Sequence, residues 1–116
     1  SEINYGSIYE NFAAQELRAH GYALYYFNNK KQGELDFVVE DKGKVLPIEI
    51  KSGKDYKRHN ALSNVMGNEE YDIPHAIVFS NGNVEVVGRI LYYPIYMLMY
   101  LQPEMLAEPI FKFSPI

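Results

Sequence analysis

Two short apolar stretches, Gly33-Glu-Leu-Asp-Phe-Val-Val-Glu40 and Val45-Leu-Pro-Ile-Glu-Ile-Lys-Ser-Gly53, flank the turn-forming segment Asp41-Lys-Gly-Lys44. Branched and aromatic residues on either side of a glycine turn predict a hairpin, with strands over about Glu34–Glu40 and Val45–Lys51. The hairpin carries Asp36 on one arm and Glu49 and Lys51 on the other. Charged side chains rarely stand among Leu, Ile, Val and Phe unless something pairs with them or uses them. Two carboxylates and a lysine gathered in an apolar sheet can hold a divalent cation and stabilise a reacting phosphate.

The length of the turn decides whether they gather. Side chains alternate across a strand. Leu46, Ile48 and Ile50 share one face, and Val45, Pro47, Glu49 and Lys51 the other. Asp36 lies with Glu34 and Val38, and Leu35, Phe37 and Val39 lie opposite. A two-residue turn at Lys42-Gly43, or a four-residue one, sets Asp36 opposite Glu49 and Glu34 opposite Lys51. A three-residue turn with a bulge at Gly43 sets Asp36 opposite Ile48, on the wrong face. Lysine at positive φ disfavours the two-residue turn. Even parity is nevertheless the expected register, because it joins Leu35, Phe37 and Val39 to Leu46, Ile48 and Ile50 on one apolar face. Directly opposed carboxylates repel, so this register makes sense with a cation between them.

The rest of the chain reads as one mixed α/β domain, a sheet covered by helices. A first helix is expected from Ser7 to His20, with Tyr5, Ile8, Tyr9, Phe12, Ala13 and Leu17 on its apolar face, Ser7 as N-cap and Gly21 as the stop. A strand over Tyr22–Phe27 precedes the hairpin. A second helix over Asp55–Met66 follows it, then a central strand at Ala76–Ser80 and short strands at Val84–Val87 and Ile90–Tyr92. Pro94 opens a last short helix to about Leu101. The core spans about residues 6–101 and residues 102–116 form an irregular tail, of which Ile110, Phe111 and Phe113 dock on the domain or a neighbour.

The 116 residues leave room for one core, and the absence of cysteine excludes disulfides and thiolate metal sites. The start has no signal-peptide pattern and no initiator methionine, so the expectation is a cytoplasmic fragment of a longer protein. The apolar run Ile90–Leu101 is too short to span a bilayer and Pro94 interrupts it, so no membrane is expected. Net charge is −4, which argues against a general nucleic-acid-coating protein. Residues 30–59, however, hold eight of the eleven Lys and Arg against six acids, leaving three bases against nine acids elsewhere. A basic rim around an acidic pocket suits a phosphodiester site; solvated lysines in turns and helix faces account for it equally well.

Asp36 followed by Glu49-Ile50-Lys51 resembles the motif of the PD-(D/E)xK nuclease superfamily. The phrases Gly6-Ser-Ile-Tyr-Glu-Asn-Phe12, Gly33-Glu-Leu-Asp-Phe37 and Ile48-Glu-Ile-Lys-Ser-Gly53 are similar to a narrower group. That group is the C-terminal domain of unknown function that follows an AAA+ ATPase module in bacterial and archaeal proteins. The likeness runs from Gly6 to about Leu101, with Leu35 rather than proline before Asp36. It implies a restriction-endonuclease-like core of helix, three antiparallel strands, helix and strand. It also implies Mg²⁺ or Mn²⁺ on Asp36, Glu49, the Ile50 carbonyl and Glu10, and catalytic roles for Asp36, Glu49, Lys51 and Glu10. Nucleic acid, DNA foremost, and an upstream ATPase module of the same chain are the implied partners; a homo-oligomer is a further expectation.

Each role has a duller competitor. Asp36, Glu49 and Lys51 also read as a structural cluster closing the sheet end. Glu10 fits a capping box with Ser7. Lys54, Lys57 and Arg58 suit phosphate contacts, or a solvated helix face. His59 is the best-placed histidine, with His20 and His75 at element boundaries, and no zinc spacing exists. The eleven tyrosines are able to stack on bases, yet most sit in apolar contexts. Two functions compete: a metal-dependent nuclease, and a catalytically silent module that binds nucleic acid or protein or regulates an attached ATPase.

Overall fold

The order helix, three strands, helix, strand is realised in a computed structural model, which describes residues 5–101. Helix α1 (Tyr5–Ala19) leads into β1 (Tyr25–Asn29), β2 (Gly33–Asp41) and β3 (Lys44–Lys51). Helix α2 (Asn60–Met66) and a 3₁₀ turn (Glu69–Tyr71) precede β4 (Ala76–Ser80), β5 (Glu85–Val87) and β6 (Ile90–Pro94), and a 3₁₀ segment (Ile95–Tyr100) follows. The strands form one mixed sheet in the order β1-β2-β3-β4-β6-β5. Strands β1 to β3 are antiparallel, β4 runs parallel to β3 and β6, and β5 is an antiparallel edge. The fold is of the mixed α/β class.

Each face of the sheet has its own apolar layer. Ala13 and Leu17 of α1 and Leu98 pack over Phe37, Val39, Leu46, Ile48, Ile77 and Phe79. On the other face Leu62, Val65 and Met66 of α2 pack over Leu35, Ala76, Val78 and Tyr92. All of β4 is buried, as its apolar sequence between covering layers requires.

The hairpin turn has two residues. Asp41 pairs with Lys44, and Lys42 (φ 52°) and Gly43 (φ 78°) both take left-handed backbone, as a type I′ turn demands. The expected parity is therefore present. The expected single face is not: Leu35 packs on the α2 side and Phe37 and Val39 on the α1 side. Between the β1 partners Tyr25 and Phe27, β2 advances from Val38 to Leu35, one residue too many. This extra residue, a bulge in β2, breaks alternation at Asp36-Phe37.

Other boundaries moved for local reasons. Helix α1 begins at Tyr5, so Ser7 lies within the helix rather than at its N-cap, and the capping-box explanation of Glu10 falls away. Ile8 and Phe12, placed on the apolar face from sequence, are exposed. At the other end Tyr22 N–H donates to Leu17 O (3.0 Å) and Gly21 N–H to Arg18 O (3.1 Å), with Gly21 at φ 96°. That is a Schellman stop, which holds Tyr22 in the core and delays β1 to Tyr25. Helix α2 starts at Asn60 instead of Asp55, because Tyr56 packs on Tyr92 and His59 bonds it. Lys54, Lys57 and Arg58 thus stand on a loop, not a helix face. The last helix is 3₁₀, over Ile95–Tyr100. The tail residues Ile110, Phe111 and Phe113 lie outside the described residues.

Candidate functional site

The β2–β3 ladder ends at Phe37–Ile48. Beyond it the strands part, and acidic side chains replace backbone partners. The Asp36 amide donates to Glu49 Oε1 (2.9 Å), and the Ile50 amide donates to Asp36 Oδ2 (3.0 Å). The two carboxylates therefore interlock across the gap, each tied to the other's strand. Lys51 Nζ lies 3.8 Å from Glu49 Oε2. Asp36, Glu49 and Lys51 are thus brought together, although Glu34, expected opposite Lys51, instead registers with Asn28 of β1.

Burial sets the electrostatics. Glu49 is 5% exposed. Its carboxyl is pushed up to about 7, chiefly by loss of solvent and then by the Asp36 charge; the Asp36 amide and Lys51 pull the other way. A carboxyl so placed seeks a cation or a proton. Lys51 keeps a third of its side chain exposed, so its ammonium reaches both Glu49 and solvent.

Glu10, from α1, stands across a pocket of about 210 Å³ lined with Asn11, Tyr26, Glu34 and Asp36. Its carboxyl is raised by partial burial and then by the Asp36 charge, with Lys51 opposing. Helix α1 therefore delivers Glu10 toward the acidic pair. No three acidic or histidine side chains converge tightly enough for a ready-made ion cage among the described residues.

The three basic loop residues differ. Lys54 and Arg58 are exposed. Lys57 pairs with Glu85 (2.6 Å) and sits 5.9 Å from the Tyr56 and Tyr92 ring centres, so it is committed to the protein's own surface. His59 is buried, with Nε2 2.6 Å from Tyr92 Oη and Nδ1 3.1 Å from Ser63 Oγ. Burial, and secondarily Lys51, lower its pKa, which suits a neutral packing group. No spacing rule pointed to Tyr92 as its partner, since 33 residues separate them.

A mixed α/β domain with an interlocked acidic pair at the parting of two central strands is what the sequence builds. The chain belongs to the family described as Domain of unknown function (DUF4143), whose model matches residues 5–98. No curated protein and no solved structure matches it. Among the described residues no helix is long and apolar enough to cross a membrane.

Proposed function

We propose that this domain is a metal-dependent nuclease of the PD-(D/E)xK kind, hydrolysing nucleic-acid phosphodiesters, DNA foremost, as the C-terminal part of a longer ATPase-containing protein. The observation that carries the reading is the interlocking of Asp36 and Glu49 with Lys51 beside them. The order of elements and the approach of Glu10 from the first helix support it.

The donor set fits a hard divalent ion. Asp36 Oδ2 and Glu49 Oε1 each hold a backbone amide. That leaves Asp36 Oδ1 and Glu49 Oε2, the latter shared with Lys51 Nζ at 3.8 Å, for Mg²⁺ or Mn²⁺, which keeps several waters and takes one or two protein carboxylates. Asp36 and Glu49 would hold the ion, with the Ile50 carbonyl and Glu10 completing the set. When bound, such an ion polarises a phosphate and acidifies a water. Lys51 places its ammonium against charge that develops on the phosphate oxygens. Lys54 and Arg58 present charge to the flanking backbone phosphates.

Plasmid nicking with Mn²⁺ tests the chemistry. Lys51→Ala is expected to slow nicking at least about 100-fold, the scale of losing one preorganised charge-stabilising donor. Equal rates for the variant and the unmodified chain exclude Lys51 as catalyst. A second reading, a catalytically silent binding or regulatory module, draws on the net charge of −4. Calorimetry with Mn²⁺ separates the two. Heat that disappears in Glu49→Ala favours the nuclease, and no heat in either protein favours the silent module.

A further inference from the structure

The parallel strands β3, β4 and β6 end side by side. Lys51 registers with Ser80, and Ser80 with Pro94. Ligands of open α/β sheets bind in crevices beyond the carboxyl ends of such strands. A crevice of about 250 Å³ lies there, lined by Ser80, Asn81, Gly82, Asn83, Ile95 and Tyr96 among others. Its floor is built. Ser80 is fully buried and its Oγ accepts from the Gly82 amide (3.0 Å). Asn81 Nδ2 donates to Ser52 O (2.8 Å), tying this turn to the residue after Lys51. Tyr56 packs under Gly82 so tightly that a Cβ there would lie 2.7 Å from the ring.

The rim is different. Tyr96 is 65% exposed, and Asn83 is exposed beside it. Among the described residues, no charged side chain lines the crevice. An aromatic face beside amides, with no charge, suits a nucleobase rather than a phosphate. Adjacent strands lie about 4.8 Å apart, so the ends of β3 and β6 are about 10 Å apart. That separation suits a base one or two nucleotides from a phosphate held at Lys51.

We infer that this ledge is a nucleobase subsite, where Tyr96 stacks on an unpaired base and Asn81 and Asn83 meet its edge. The inference rests on the nuclease reading and narrows it: a base inside a duplex is stacked and closed to Tyr96, so the substrate is single-stranded or locally unpaired.

Fluorescence anisotropy in EDTA measures binding apart from cleavage, with a labelled single-stranded DNA 12-mer and the matching duplex as probes. The unmodified chain should prefer the single strand. Tyr96→Ala should weaken that binding about 5- to 100-fold, the range for one lost base stack, and Tyr96→Phe should restore it. Equal affinities for the unmodified chain and Tyr96→Ala, or no binding of the single strand by the unmodified chain, overturn the subsite. Tyr96-dependent binding without any nicking upholds the subsite and removes the nuclease reading. Nicking with Tyr96-independent binding does the reverse.

Discussion

Glu49 is the side chain on which the environment acts most strongly. An unperturbed glutamate ionises near 4.5, and here burial and Asp36 hold the carboxyl up to about 7. Between those values the folded chain keeps a proton that the unfolded chain has released. The stability it contributes is therefore full below about pH 4.5 and is lost as pH rises through 7, a fall of roughly 3 kcal/mol at most. Glu49→Gln keeps an Oε1 acceptor for the Asp36 amide but cannot ionise. Urea unfolding at pH 5 and pH 8, in EDTA, should show a clearly smaller loss between the two for Glu49→Gln than for the unmodified chain. An identical loss in both would mean that the Glu49 proton is not coupled to folding.

The hairpin shows what an element inherits from its turn. Lys42 holds φ 52° in a two-residue turn, a conformation that asparagine tolerates better than lysine. Lys42→Asn should therefore stabilise the chain by about 0.5–1 kcal/mol, read as a rise in the urea midpoint without a change in slope; a lower midpoint would show that the lysine side chain itself contributes. The same hairpin marks how far sequence reasoning reaches. Apolar clustering settled the parity of the turn, because only even parity gathers the β3 face with its neighbour. The bulge was illegible, since it arises from pairing β2 with β1 on its other side and leaves no glycine or proline at Asp36. Helix α2 was misjudged at its start for a similar reason: residues 55–59 have helical character locally, but Tyr56 and His59 are claimed by Tyr92, far along the chain.

Across the whole molecule, the order of elements and the central place of β4 followed from sequence, because its five apolar residues demand cover on both faces. The meeting of Asp36, Glu49 and Lys51 was also legible, because the short turn carries them to the same end of the hairpin; the parting of the strands there, bridged by the carboxylates themselves, was not. The approach of Glu10 depends on how α1 lies across the sheet, and the crevice at Tyr96 on where β6 joins it; neither is set by local pattern. The molecule's fold and its acidic pair share bonds, so ion uptake should register in the scaffold. Hydrogen exchange with and without Mn²⁺ should change protection at the Asp36 and Ile50 amides before any other part of the sheet, and an unchanged pattern at both would argue that no ion enters between the two carboxylates.

That sharing has a further consequence. Where most hairpins zip shut with peptide groups alone, this one is fastened at its open end by two acids that repel each other. The seam is thus a latch whose grip depends on what the surroundings supply: protons, a positively charged guest, or neither.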